Sequence, residues 1–75
     1  MITLSLAAGE TWRDALIRLL PAATRHISDA LGPITDDERV ACVGLFDALV
    51  GDGVAPRDAA IIATYRSAIP AVIDV

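Results

Sequence analysis

The sequence predicts a mostly α-helical protein: a small bundle of three or four helices with a short pair of β-strands at its termini. Three observations lead to this class. Apolar side chains recur every three to four residues over 10–31, 36–50 and 56–69, the spacing of one helix face. Each stretch opens with a helix-start residue, namely Thr11, Thr35 and Pro56. Gly-rich and Pro-containing turns separate the three stretches.

Residues 2–6 alternate between apolar and hydroxyl side chains, which is the period of a β-strand. Residues 71–75 are short and rich in β-branched side chains. The second segment could therefore form a strand beside the first, within the same chain or with a partner chain.

The first helical stretch keeps one apolar face on both sides of Pro21. Trp12, Leu16 and Leu20 lie on that face, and His26 and Ile27 continue it in the same phase. This continuity favours one long helix over 10–31, kinked at Pro21, because proline on the outer side need not disturb the packed side. The alternative is two helices that break at Leu20-Pro21, with Pro21 in the first turn of the second helix.

The second helix is predicted over 36–50. Thr35 and Glu38 form a capping-box pattern, and the acidic first turn suits the positive end of the helix dipole. Val40–Val50 is the most apolar stretch of the chain, and its larger side chains span an arc of about 200° on a helical wheel. So wide an arc predicts a helix that is buried on most of its circumference.

The third helix is predicted from Pro56 to about Ile69. One face is bulky and includes Ile61 and Tyr65, whereas another face carries small side chains. Small faces allow two helix axes to approach closely. The small face consists of Ala59, Ala60, Ala63 and Ser67.

Chain length indicates one helical domain over residues 1–75 and a core that supplies only about 3–5 kcal/mol. Cys42 has no second cysteine for a disulfide, and with the lone His26 it cannot complete a structural zinc site. We therefore expect no metal and no cofactor. Apolar residues make up 55% of the chain, so association with another chain, as a homo-oligomer or with a different protein, is the expected source of extra stability.

The net charge is −4, with six arginines and no lysine, which disfavours direct binding of nucleic acid. No apolar run reaches the roughly 18–20 residues of a membrane helix, so no membrane contact is expected. Residues 1–6 lack the basic segment of a signal peptide, which predicts a cytoplasmic location.

No set of side chains suggests catalysis. His26 is expected to pack on the apolar face of the first helix, and Cys42 is expected to act as a small buried hydrophobic residue. The chain is therefore predicted not to be an enzyme. Interaction residues are chosen as aromatic anchors, the small helix face and the acidic positions. They are Trp12, Leu16, Ala59, Ala60, Ala63, Tyr65, Asp36, Asp37 and Asp47.

The expected function is a non-enzymatic protein–protein interaction module that presents an apolar helix face, as a homodimer, a larger homo-oligomer or an adaptor. A second possibility is a small acidic inhibitor of a host complex, of the anti-defence or anti-CRISPR kind that phages and mobile elements encode in bacteria. A third is an accessory or carrier subunit of an enzyme, in which His26 or Cys42 would be active. No motif identifies a family.

Overall fold

The structure, a computed structural model, describes residues 2–22, 24–27, 30–69 and 71–73. Within these ranges the chain forms three α-helices: α1 at Trp12–Leu19, α2 at Asp36–Gly51 and α3 at Pro56–Arg66. It also forms four short strands: β1 at Ile2–Leu4, β2 at Thr24–Ile27, β3 at Ala30–Pro33 and β4 at Ala71–Ile73. The prediction of a mostly α, small helical bundle is confirmed, with the three helices packed on one another.

The terminal strands pair within the chain. β1 and β4 are parallel, with Ile2 opposite Ala71 and Leu4 opposite Ile73. This pairing confirms the predicted short pair of terminal strands. Leu4 is 1% exposed and belongs to the core, so β1 is anchored by its side chain as well as by its backbone.

The prediction of helix over 10–31 is wrong for the described residues after Ala22, both as one kinked helix and as two helices, because 24–27 and 30–31 lie in strands. α1 ends at Leu19, a 3₁₀ turn covers Leu20–Ala22, and β2 and β3 then form an antiparallel hairpin. Pro21 has no N–H for the bond to residue 17, and its ring crowds that carbonyl, so the α-helix stops. The β-branched residues of β2 and the Gly32-Pro33 pair of β3 disfavour its resumption.

α1 is fixed at its N-terminus by Thr11 and Glu10. The Thr11 hydroxyl accepts a hydrogen bond from the Asp14 N–H at 3.2 Å. Arg18 donates to both carboxylate oxygens of Glu10, each at 2.9 Å, and its Nη2 also donates to the Ser5 carbonyl. The Ala7 N–H donates to Glu10 Oε1 at 3.0 Å. The side chain of Glu10 thus links the β1–α1 connection to the last turn of the helix.

α2 begins as predicted, because Thr35 and Glu38 form a capping box. The prediction that α2 is buried on most of its circumference is wrong for the single chain. Cys42 and Phe46 are its buried residues, whereas Val40 is 72% exposed. The other chain elements cover only one stripe of the helix, since α1 and α3 both approach it from that side.

α3 buries its small face and turns its bulky face outward. Ala59, Ala60 and Ala63 are 0% exposed, while Ile61 is 38% and Tyr65 is 83% exposed. Alanine side chains allow close packing of α3 against the other two helices, and α2 is its principal neighbour. The helix ends at Arg66 rather than near Ile69.

α2 and α3 end in the same backbone motif with different residues at the left-handed position. After α2, Gly53 has φ +94°, and the Val54 N–H donates to the Leu49 carbonyl at 3.0 Å. After α3, Ala68 has φ +56°, and the Ile69 N–H donates to the Thr64 carbonyl at 2.9 Å. Both are Schellman endings, and only the first has the glycine that this backbone conformation favours.

Replacing Ala68→Gly should raise the free energy of unfolding by about 1 kcal/mol, because glycine adopts a positive φ without the steric cost that a Cβ imposes. Gly53→Ala is the matched reverse change and should lower the free energy of unfolding by a similar amount, because alanine is strained at a positive φ. A Cβ there would meet nothing within 4 Å, so no steric clash adds to this cost. Urea unfolding of the three proteins measures both values. A destabilised Ala68→Gly variant would contradict the assignment.

The Glu10–Arg18 contact should make stability depend on pH in the acid range. Hydrogen bonds from Arg18 and from the Ala7 N–H lower the pKa of Glu10 below its ordinary value of 4.5. A lowered pKa in the folded state gives stability that is present above the unfolded-state pKa and is lost as the pH falls through the folded-state pKa. Glu10→Gln should therefore be less stable than the parent at pH 7, and this difference should shrink towards pH 3.

Urea midpoints across that range test the expectation. Arg18→Gln serves as the matched background, because Glu10→Gln should have little further effect once the guanidinium is gone. A Glu10→Gln deficit that stays constant from pH 7 to pH 3 would show that the carboxylate charge is not responsible.

Candidate functional site

An apolar groove runs between α1 and α2, with a volume of about 520 Å³. Leu20 and Val43 form its floor; Leu20 is 1% exposed and Val43 packs against the core. Ile17 stands on the α1 side and is 45% exposed. Val40 stands on the α2 side and is the more open of the two. We call this feature the α1–α2 groove.

Ionic contacts border the two ends of the groove. At one end, Arg13 Nε donates to Asp47 Oδ1 at 3.0 Å and Arg13 Nη2 donates to Asp47 Oδ2 at 3.2 Å. At the other end, Arg39 forms an ion pair with Asp36, and its Nη1 donates to the Ile34 carbonyl at 3.0 Å. The two ion pairs lie at the rim of the groove and do not cover its apolar floor.

The Arg13–Asp47 pair joins the first turn of α1 to the C-terminal half of α2. Its hydrogen bonds and the charge of Asp47 raise the pKa of Arg13 above its ordinary value, so the guanidinium stays charged. Both side chains are about half exposed, at 50% and 46%, and an exposed pair of this kind adds little to stability. The contact joins the two helices that form the groove at one end of it.

The outer face of α2 continues the groove away from the core. It consists of Val40, Ala41, Gly44, Ala48 and Gly51, all of them exposed. A Cβ built at Gly44 or Gly51 would meet nothing within 4 Å. Glycine in a helix interior costs about 1 kcal/mol relative to alanine, and no contact inside the described chain requires it at position 44. Another helix could approach this face closely.

Carboxylates flank this outer face. Asp36 and Asp37 lie in the exposed first turn of α2, Asp47 lies beside the groove, and Asp52 is the C-cap residue. In the described part of the chain, Asp47 and Asp36 have ion-pair partners, and no ion pair is found for Asp37 or Asp52. The surface is therefore apolar at its centre and acidic at its ends.

The residues predicted for interaction separate into two groups. Leu16, Ala59, Ala60 and Ala63 are 0% exposed and pack inside the chain, so they cannot contact a partner in this conformation. Trp12 is partly buried against the core. The exposed members are Tyr65, Asp36, Asp37 and Asp47.

Apart from Asp47, the residues that line the groove were not selected from the sequence. Arg13, Ile17 and Leu20 form a row at i, i+4 and i+7 that begins on α1 and ends in the 3₁₀ turn, and of the three Leu20 lies on the apolar face predicted from the sequence. Val40 and Gly44 lie in the stretch that the sequence predicted to be buried. Ile17, an apolar residue outside the predicted apolar face and one position from Leu16, is a sequence signal that could have pointed to this surface.

Cys42 is buried in α2, and burial raises the pKa of its thiol above 9.0, partly offset by a hydrogen bond with Ser67. The reactive thiolate is thus disfavoured. His26 lies in β2 rather than on a helix, and its side chain falls outside the described part of the structure. The possibility that His26 is active in an enzyme subunit stays a prediction.

Among the side chains that the structure describes, no group of three or more His, Cys, Asp or Glu could hold a metal ion. No helix in the described ranges has the length and apolar character needed to cross a membrane. Comparison of the chain with protein-family models, curated proteins and solved structures finds no match.

The Cys42 thiol should react slowly with a disulfide reagent while the chain is folded, because it is 0% exposed and its thiolate is disfavoured. We expect labelling in native buffer to be at least about a hundredfold slower than in 8 M urea. Absorbance of the released thiolate follows both rates. Equal rates in the two solvents would show that Cys42 is accessible and reactive.

Proposed function

We propose that this chain is a non-enzymatic protein–protein interaction module that binds an apolar segment of another polypeptide in the α1–α2 groove. The observation that carries the proposal is the exposure of Val40 at 72% and Ile17 at 45% on opposite sides of an apolar floor. Exposed apolar side chains grouped around a concave floor and bordered by polar residues are typical of a binding groove.

The positions of the exposed apolar side chains support the proposal, whereas the total accessible surface area of the chain does not. The accessible surface is 4587 Å². Monomeric proteins of 7.8 kDa expose about 4,400 Å² by the usual scaling. The chain is therefore not unusually exposed for its size. Binding would instead depend on a few exposed side chains. Burying Val40 and Ile17 would each contribute about 1–2 kcal/mol to the free energy of binding before the cost of association.

The site chemistry supports a role without catalysis. The thiol that could act as a nucleophile is buried, with a raised pKa. The ionic groups at the groove are joined in Arg–Asp pairs, which suits recognition and positioning. We also place the chain in the cytoplasm, where a lone cysteine stays reduced. A second copy of the chain and a different protein are both candidate partners.

Val40→Asp should abolish the association, because the new carboxylate would lose its hydration in a covered groove. The wild-type chain, carrying an affinity tag, should be recovered from its own cells in a complex of defined stoichiometry. The solution mass of that complex and the identity of its chains are the measurements. Stability of the isolated variant should change by less than about 0.5 kcal/mol, since the position is largely exposed.

Ile61→Asp is the matched control. Ile61 is an exposed apolar residue of α3 that does not line the groove, so this variant should retain the complex. A wild-type chain that is a monomer without a companion at cellular concentration would overturn the proposal. Equal loss of the complex in both variants would also overturn it, because the groove would then have no special role.

A further inference from the structure

Resting on the proposed function, we propose that the α1–α2 groove and the outer face of α2 bind an amphipathic helix with Lys or Arg on both sides of its apolar stripe. The groove lies between two helices and has an apolar floor, which is the arrangement that accepts a third helix by its hydrophobic face. The exposed Gly44 and its small neighbours allow the axis of such a helix to come close to α2.

Charge indicates the chemistry of the partner. Asp37 and Asp52, the two carboxylates for which no ion pair is found in the described part of the chain, lie on either side of Gly44 on the exposed surface of α2, fifteen positions apart. Fifteen residues of α-helix span about 22 Å. A partner helix with basic residues at a similar separation can therefore meet both carboxylates while its apolar residues enter the groove.

The same charges disfavour a second copy of the chain on this face. A parallel two-fold pairing of α2 with its copy would bring Asp37 towards the copy's own Asp37. An antiparallel pairing centred on Gly44 would bring Asp36 towards Asp52. Both arrangements place like charges together, and each chain already carries a net charge of −4. The basic residue on this side of α2, Arg39, is already paired with Asp36.

Three synthetic 18-residue helical peptides test the inference. They share one leucine stripe and differ only in the flanking residues, which are lysine, glutamate or glutamine, and each carries a fluorescent label. Anisotropy titration with the full chain gives the dissociation constants. The lysine peptide should bind at least tenfold more tightly than the glutamate peptide in 50 mM NaCl, and this ratio should fall below about threefold in 500 mM NaCl.

Variants of the chain locate the binding. Val40→Ser should weaken the lysine peptide at least fivefold, whereas Ile61→Ser on α3 should leave its affinity unchanged. The pair of changes Asp37→Asn and Asp52→Asn should reduce the preference for lysine over glutamate. Asp58→Asn, an exposed carboxylate of α3, is the matched control and should not alter that preference.

The outcomes separate this inference from the proposed function. Equal binding of the three peptides that still depends on Val40 would overturn the basic partner and leave the groove as a docking site. If no peptide binds and the chain forms a dimer that Val40→Ser dissociates, the partner is a second copy and the inference is wrong. If the chain neither binds a peptide nor self-associates, both the inference and the proposed role of the groove are overturned. The same holds if peptide binding does not respond to Val40→Ser.

Discussion

The close packing of the small face of α3 determines the rest of the structure. Ala59, Ala60 and Ala63 are completely covered, so α3 lies near both α1 and α2. The core that these alanines help to form buries only one stripe of α2, formed by Cys42 and Phe46. The outer residues of α2 are apolar but lie outside the core, and they form the exposed side of the α1–α2 groove.

The fold could be predicted from the sequence where the interactions are local. The Thr35–Glu38 capping box and the glycine-containing turn after α2 depend on residues within a few positions of one another, and both are found, the turn at Asp52-Gly53. The hairpin was missed because the apolar residues after Pro21 keep the phase of α1 by coincidence. A β-ladder joins residues across a turn, and helical periodicity carries no information about such pairing.

The candidate site was harder to predict for a related reason. A helical wheel shows that a helix has a bulky and a small side, but tertiary packing decides which side is covered. In α3 the small side is buried and Tyr65 is exposed, so the three alanines predicted for interaction are core residues. In α2 the long apolar stretch predicts burial on most of the helix circumference, and the groove residue Val40 lies within that stretch.

The most direct test of an interface at the α1–α2 groove is the accessibility of position 40 in the native complex. A thiol introduced by Val40→Cys should react rapidly with maleimide in the isolated chain, where the native Cys42 is protected, and at least tenfold more slowly in the complex. Ile61→Cys should react at the same rate in both. Rapid, unchanged labelling at position 40 in the complex would contradict the account.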